Sequence, residues 1–212
     1  MKLKTLLVFL VFLCSMTVVA QNTGSFTDKR DSTTYKTVEI GQQIWLAENL
    51  NYNADKIYSG ESWCFNFDDK NCSIYGRLYS YNAAQKSCPV GWHLPSDKEW
   101  KELELQLGMS KNEAEKNNWR GKDEASEIKT ATDWLDTNNK KNNRSGFSAL
   151  PGGFYFQGGG FEDINKCAYW WTSTIDNSGA PLIHFINYKL SKIGRGQGDT
   201  TMGLSVRCVK NN

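Results

Sequence analysis

Five cysteines that follow an export-type leader constrain the fold of this chain more than any other feature. Lys2 and Lys4 precede a short apolar run, residues 6–13, and Ala20 offers a small residue for cleavage. This layout is typical of a secretory signal peptide, here residues 1–20. Exported chains meet oxidising conditions, under which cysteines form disulfides. The remaining cysteines are odd in number, so at least one thiol is free or pairs between chains; they are Cys64, Cys72, Cys88, Cys167 and Cys208.

Two other interpretations of the leader fit the sequence less well. The apolar run is short for a membrane span and has no charged residue on its far side. Lipid attachment at Cys14 is disfavoured because the bulky Leu13 precedes it. We therefore expect a protein that is secreted or displayed at the cell surface, with no membrane span after signal cleavage. The sequence leaves open whether the protein is released or held there.

The mature chain has the length and the charge of a single domain that does not bind nucleic acid. About 190 residues remain after cleavage, which suits one domain with a sizeable core. We expect residues 21–32 to form a flexible leader and residues 33–210 to form the domain. Removing Lys2 and Lys4 from the 25 basic residues leaves 23, which equals the 23 acidic residues. Since no basic block stands out, nucleic-acid binding is not expected.

The hydrophobic pattern predicts an α+β domain with short strands, many loops and an aromatic core. Residues 35–40 alternate in polarity and, with residues 43–46, predict a hairpin. Three later segments have the composition of strands, residues 168–174, 182–188 and 204–209. Eight tryptophans, nine tyrosines and ten phenylalanines are enough to fill a core, and most large aromatic side chains are buried.

One segment, CPVGWHLPSDKEW at residues 88–100, indicates where a helix begins. Ser96 and Glu99 have the spacing of a capping box, in which each side chain bonds the backbone N–H of the other residue. The helix is expected to end near Gly108. Residues 110–118 and 124–130 are weaker helix candidates. We interpret the whole segment as a joint of the scaffold rather than a catalytic site.

No arrangement of residues in the sequence predicts an enzyme, a cofactor or a metal site. His93 directly precedes the helix cap and is expected to be structural, whereas His184 is expected to be exposed or to line a cleft. Cys167 has no recognisable imidazole partner for nucleophilic catalysis. The acidic pairs at 68–69 and 162–163 lack the spacing of a calcium loop, and zinc-type Cys and His spacings are missing. We predict a non-enzymatic protein.

Five ordered motifs resemble one known family. They are YKTVEIGQQIWLAENLNY, CFNFDDKNCSIYGRLYSYNAAQKSCPVGWHLPSDKEW, GFSALPGGFY, YWWTST and GLSVRCV. Over residues 33–210 they resemble the Fibrobacter succinogenes major paralogous domain, an exported domain that is similar to the C-type lectin-like fold. The resemblance implies mixed or antiparallel strands with one or two short helices, and it carries no assigned reaction. It also implies two disulfides, Cys64–Cys72 and Cys88–Cys208, and gives Cys167 no partner.

We expect the ligand surface on the loops, because loops on a rigid core carry function more often than the core does. The segments are 152–163, 176–177 and 194–199, and the candidate residues are Tyr155, Phe156, Asp176, Asn177 and Arg195. Tyr155 and Phe156 are candidates for stacking on a ligand because glycines flank them. The predicted partner is a polysaccharide or another cell-surface ligand. Two alternatives remain, an enzyme that uses Cys167 or a metal site, and a structural protein of the cell envelope.

Overall fold

A computed structural model describes residues 22–54, 62–135 and 141–212 of the chain. The predicted signal peptide, residues 1–20, lies outside the described residues. The fold is α+β and consists mostly of strands, as the sequence predicted. No helix within the described ranges is long and apolar enough to cross a membrane.

The first sheet is antiparallel and brings the two ends of the domain together. Its strands, numbered in chain order, are β1 (Thr23–Thr27), β2 (Thr34–Ile40), β3 (Gln43–Leu46), β6 (Trp92–His93) and β14 (Val209–Lys210). They lie in the order β1-β2-β3-β14-β6. The predicted hairpin is therefore present as β2 and β3, with Val38 opposite Trp45. β14 lies between β3 and β6, so the C-terminal strand is an inner strand of the sheet.

The second sheet is mixed and has nine strands. They are β4 (Ser62–Trp63), β5 (Leu78–Tyr79), β7 (Asn118–Arg120), β8 (Gly152–Phe156), β9 (Gly160–Ile164), β10 (Cys167–Ile175), β11 (Pro181–Asn187), β12 (Ile193–Gln197) and β13 (Met202–Ser205). The order is β4-β5-β13-β8-β10-β11-β12-β7, and β9 pairs with β8. β10 runs parallel to both β8 and β13, whereas the other pairs are antiparallel. β4 and β7 thus lie at opposite ends of the sheet.

Five short helices connect or cover the strands, more than the one or two that were predicted. They are α1 (Asp69–Tyr75), α2 (Tyr81–Ser87), α3 (Asp97–Gln106), α4 (Lys111–Ala114) and α5 (Glu124–Ile128). The helix candidate at 110–118 is correct only for its first turn, because Asn118 and the next two residues extend the second sheet as β7. Pairing between distant strands outweighs local helix propensity there.

The predicted capping box begins α3. Ser96 Oγ accepts a hydrogen bond from the Glu99 N–H at 3.2 Å, and Glu99 Oε2 accepts one from the Ser96 N–H at 2.7 Å. Glu99 also contacts His93, whose Nε2 lies 2.7 Å from Glu99 Oε1 and whose Nδ1 lies 2.7 Å from Asn211 Oδ1. His93 therefore links the start of the helix to Asn211, the residue that follows β14. This segment is a joint of the scaffold, as we expected.

Aromatic rings fill the core on both faces of β10. Trp170 packs against Trp100 of α3 with ring centroids 5.4 Å apart. The neighbouring Trp171 points to the opposite face and packs against Tyr81 of α2 at 5.2 Å. Both tryptophans are completely buried, because adjacent side chains on a strand face opposite ways and each face is covered here. Neither is available to a ligand.

Both disulfides implied by the resemblance are present. Cys64–Cys72 closes a short loop with Cα atoms 4.9 Å apart, and Cys88–Cys208 joins the residue after α2 to the chain just before β14 at 5.9 Å. Cys167 is the free cysteine of the structure. The segment inside the short loop is more ordered than the polar turn that was predicted, because it contains the start of α1, capped by Asp68.

The N-terminal segment also differs from the expectation. Residues 21–32 were expected to form a flexible leader, but Thr23–Thr27 pairs with β2 along its whole length as β1. Arg30 then donates from Nε to Asp28 Oδ1 at 3.0 Å and from Nη2 to Asp28 Oδ2 at 2.6 Å, and it also donates to the Ser87 carbonyl at 2.8 Å. Most of β1 is exposed at the edge of the first sheet, which explains why its polar composition resembled that of a leader.

Candidate functional site

The five predicted ligand residues do not converge on one site. Tyr155 and Phe156 are neighbours on β8, so their side chains lie on opposite faces of the strand. Asp176 and Arg195 line a separate cleft, and Asn177 is exposed in the turn that follows Asp176. A single flat ligand therefore cannot stack on both aromatic rings. The two groups have to be considered as two separate surfaces.

Tyr155 belongs to a continuous row of rings at the surface. Its ring centroid lies 4.5 Å from that of Trp63 and 4.9 Å from that of Phe161. Phe161 in turn contacts Phe67 edge-on at 4.9 Å. We call Trp63, Tyr155, Phe161 and Phe67 the aromatic row. Its members come from β4, β8, β9 and the 3₁₀ turn Phe65–Phe67, and all four are at least partly exposed.

Phe67 is the most exposed ring of the row, with 73 % of its surface accessible. The backbone holds it outward, because Asn66 and Phe67 both adopt left-handed conformations with φ of 54° and 57°. Such values are unusual for a bulky residue and are maintained only where the surroundings fix them. Here the Cys64–Cys72 disulfide brackets the turn, and Asn71 donates to the Phe65 carbonyl at 2.9 Å.

Glycines allow the row to form. A Cβ atom at Gly203 would lie 2.9 Å from the Trp63 ring and 3.1 Å from the Tyr155 Cβ, so only glycine lets these rings lie against β13. At Gly153, with φ of 66°, a Cβ atom would lie 2.2 Å from the Glu162 carbonyl oxygen. The β8–β9 hairpin that carries Tyr155 and Phe161 therefore requires glycine at this position.

A pocket of about 280 Å³ lies at the Trp63 end of the aromatic row. Its described lining is Trp63, Ser80, Tyr81, Asn82, Gln157, Thr200 and Thr201. None of these side chains carries a charge, and each can form a hydrogen bond. The Trp63 indole N–H and the side chains of Asn82 and Gln157 bond to no other described residue. We call this cavity the Trp63 pocket.

The second surface is the cleft that contains Asp176 and Arg195, with a volume of about 400 Å³. Its charged groups already hold hydrogen-bond partners within the protein. Arg195 donates to both carboxylate oxygens of Asp97 at 2.5 and 2.9 Å and to Asn117 at 2.5 Å. Hydrogen bonds from Ser178 and Gln197 lower the pKa of Asp176 to about 2. Arg195 is thus paired with Asp97, whereas Asp176 keeps its negative charge and is held by hydrogen bonds from uncharged groups.

A buried charged cluster lies next to this cleft and contains His184. The structure corrects the expectation that His184 is exposed or lines a cleft, because the side chain is completely buried under α3. Its Nδ1 lies 2.8 Å from Glu104 Oε1 and its Nε2 lies 3.1 Å from Asp97 Oδ1. Arg120 completes the cluster by pairing with Glu104 at 2.6 Å, and Trp100 stacks on the imidazole at 5.1 Å.

The cluster joins α3 to the second sheet. Burial alone would raise the pKa of Asp97, but hydrogen bonds and charges from His184 and Arg195 lower it well below its usual value. Both ring nitrogens of His184 lie within hydrogen-bond distance of carboxylate oxygens, and Nδ1 also lies 3.3 Å from the Arg120 guanidinium. His184, Glu104 and Arg120 are buried, so the cluster ties α3 to the sheet from within the core.

Cys167 does not have the environment of a catalytic thiol. Burial raises its pKa to about 11, and the nearby Asp163 carboxylate adds to that effect. A nucleophilic cysteine needs a lowered pKa, since the thiolate is the reactive form. Among the described residues no group of His, Cys, Asp and Glu side chains has the arrangement of a metal site.

Sequence reasoning identified Tyr155 but missed the other members of the row. Trp63 stands at the edge of a cysteine motif, and Phe67 lies in what appeared to be a polar loop. The available signal was the alternation of aromatic residues in WCFNF, which places three rings around one cysteine. The contact with the β8–β9 hairpin depends on strands that are distant in the sequence.

Comparisons with known proteins identify a family but no individual relative. The family model of the Fibrobacter succinogenes major domain matches residues 38–210, the same family that the sequence motifs resemble. No curated protein and no solved structure matches the chain. The matched range includes both disulfides, the whole aromatic row and the Trp63 pocket.

Proposed function

We propose that this chain, which belongs to the Fibrobacter succinogenes major domain family, is an exported, non-enzymatic domain that binds a cell-surface polysaccharide. The binding site is the Trp63 pocket together with the aromatic row. The observation that supports this proposal is the pocket lining, in which a partly exposed indole ring is surrounded by uncharged hydrogen-bonding side chains. Sugars present apolar ring faces and many hydroxyl groups, and this combination complements both.

We also propose that the fold is C-type lectin-like. The support is the Cys88–Cys208 bridge, which links the helical region to the chain just before the last strand, and the placement of irregular segments around a mixed sheet. Binding in this proposal is independent of calcium. The described lining of the Trp63 pocket contains amides, hydroxyls and rings rather than the carboxylates that calcium prefers.

A binding assay on immobilised polysaccharides tests the proposal. The mature protein should bind at least one member of a panel of plant and bacterial cell-wall polysaccharides, and Trp63→Ala should weaken binding about tenfold or more. Trp119→Ala is the matched control, because Trp119 is 37 % exposed at the opposite end of the same sheet. Its binding should equal that of the wild type.

Binding and turnover measurements distinguish the two rival functions from this proposal. A structural protein of the envelope would bind none of the polysaccharides, and its Trp63→Ala variant would behave like the wild type. An enzyme that uses Cys167 would lose a measurable turnover in Cys167→Ser, whereas our proposal expects that variant to bind polysaccharide normally. Failure of every polysaccharide to bind would overturn the proposed function.

A further inference from the structure

We infer that the ligand is an uncharged polysaccharide chain that runs along the aromatic row, with one sugar in the Trp63 pocket and later sugars over the rings toward Phe67. This inference rests on the proposed function and adds the class of polymer and the direction in which it lies. It makes Phe67 a residue that determines preference for chain length. Three observations support it.

The first observation is the extent of the row. Three successive ring-to-ring distances of 4.5, 4.9 and 4.9 Å connect Trp63 to Phe67 through Tyr155 and Phe161. The row therefore continues well beyond the pocket at its Trp63 end. A monosaccharide would use only the pocket, whereas a chain of several sugars could contact the pocket and the distant ring together. Such an extended surface favours a polymer.

The second observation is that the Phe67 ring is kept exposed to solvent at an energetic cost. Exposure of a large apolar ring forgoes the stabilisation that burial would provide, and two consecutive left-handed residues add backbone strain. The Phe67 ring packs edge-on against Phe161, which is itself only partly buried. The Cys64–Cys72 disulfide keeps the ring in this position. Strain of this kind is concentrated at binding sites, because binding needs the ring to be ready in place.

The third observation is the charge along the path. The described lining of the Trp63 pocket is uncharged. At the other end Asp68, Asp69 and Lys70 follow Phe67 directly and leave a net negative charge. A polymer of uronic acids would gain no attraction in the pocket and would meet repulsion beside Phe67. An uncharged chain meets neither penalty, so we assign the site to neutral polysaccharides.

Chain length and charge can be varied separately to test the inference. The probes are a disaccharide and a hexasaccharide of whichever neutral polysaccharide the mature protein binds, and soluble polygalacturonate as the acidic polymer. Titration calorimetry should show that the hexasaccharide binds at least about tenfold more tightly than the disaccharide, and that polygalacturonate binds more weakly than the neutral chain. Phe67→Ala should reduce the preference for the hexasaccharide severalfold and leave disaccharide affinity unchanged.

Matched variants separate this inference from the proposed function. Phe156→Ala removes another exposed ring from the opposite face of β8 and should change neither affinity. Trp63→Ala should weaken both probes. If Trp63→Ala weakens both but Phe67→Ala leaves the ratio of affinities unchanged, the extended path is wrong while the pocket stands. Equal binding of polygalacturonate would overturn the assignment to neutral chains.

A second copy of the chain is the alternative occupant of an exposed aromatic surface. Sedimentation of the wild type and of Phe67→Ala over a range of concentrations tests this alternative. We expect both proteins to remain monomeric. Self-association of the wild type that disappears in Phe67→Ala would overturn the inference. Because Phe67 is mostly exposed, the substitution should leave folding intact, and a circular dichroism spectrum checks this.

Discussion

At the scale of single residues, His184 is the side chain whose loss we expect to destabilise the fold most. It lies between the carboxylates of Asp97 and Glu104, and both of its nitrogens are engaged. His184→Ala would leave two buried carboxylates without this partner and would remove the stacking on Trp100. We expect a loss of about 3–5 kcal/mol in the free energy of unfolding, measured by chemical denaturation.

His93→Ala is the matched control for this prediction, because His93 also contacts a carboxylate but is 40 % exposed. Exposed ion pairs contribute about 0–1 kcal/mol, so this variant should unfold close to the wild type. If both substitutions lowered the free energy of unfolding equally, burial would not explain the stabilisation that we attribute to the His184 contacts. The expected difference is large enough to measure in one denaturation series.

Cys167 allows a second prediction at the residue scale. Since burial raises the pKa of this thiol to about 11, only a very small fraction is thiolate near neutral pH. We expect iodoacetamide to alkylate Cys167 in the folded protein far more slowly than a model cysteine peptide, and the rate should still rise above pH 9. Faster alkylation than in the peptide would contradict the structure and would revive the enzyme interpretation.

Contacts of single residues with partners distant in the sequence were the hardest feature to predict. His184 appeared on a strand with apolar neighbours, which gave no sign that Asp97 and Glu104 of α3 would cover it. His184 is 80 positions from Glu104 and 87 from Asp97, so no local pattern links it to them. Phe67 was missed for the same reason, because its partner Phe161 lies on a distant hairpin.

At the scale of elements, local signals predicted well and long-range pairing did not. The capping box of α3 and the β2–β3 hairpin were correct because each depends on residues within a few positions of one another. β7 was not predicted, since it becomes a strand only by pairing with the distant β12, and β1 was missed because its exposed edge position gives it a polar composition. The disulfides came from the family resemblance, because cysteine spacing alone cannot fix connectivity.

The two disulfides should contribute unequally to stability. Cys88–Cys208 spans 120 residues and Cys64–Cys72 spans 8. Because a longer loop loses more entropy when it is closed in the unfolded chain, the bridges are worth about 4–5 and about 2.5 kcal/mol in the chain-entropy model. Replacing both cysteines of the long bridge with serine should therefore lower the melting temperature more than the same change in the short bridge.

Peptide mapping under non-reducing conditions provides the control for the disulfide comparison. It should recover Cys88 linked to Cys208 and Cys64 linked to Cys72, with Cys167 as a free thiol. A bridge between Cys88 and Cys167 would show that the pairing is wrong. The short-bridge variant has a separate expected effect, since it releases the turn that presents Phe67 and should reduce hexasaccharide affinity.

At the scale of the whole molecule, two hydrophobic clusters share the same central strands. One cluster contains Trp45 and Trp170, and the other contains the next residue of each strand, Leu46 and Trp171. The two clusters therefore lie on opposite faces of the same strands. If these strands unfold, both clusters are lost together. We expect the domain to unfold as one cooperative unit with coincident transitions by tryptophan fluorescence and far-ultraviolet circular dichroism.

Conservative core substitutions on the two faces provide the measurement for this last prediction. Ile186→Val removes one methylene from the first cluster and Val206→Ala shortens a side chain of the second, and both residues are completely buried. Each should lower the transition midpoint seen by both probes together, with Ile186→Val costing about 0.5–1.5 kcal/mol. If one variant shifted only the fluorescence transition, the two faces would unfold separately.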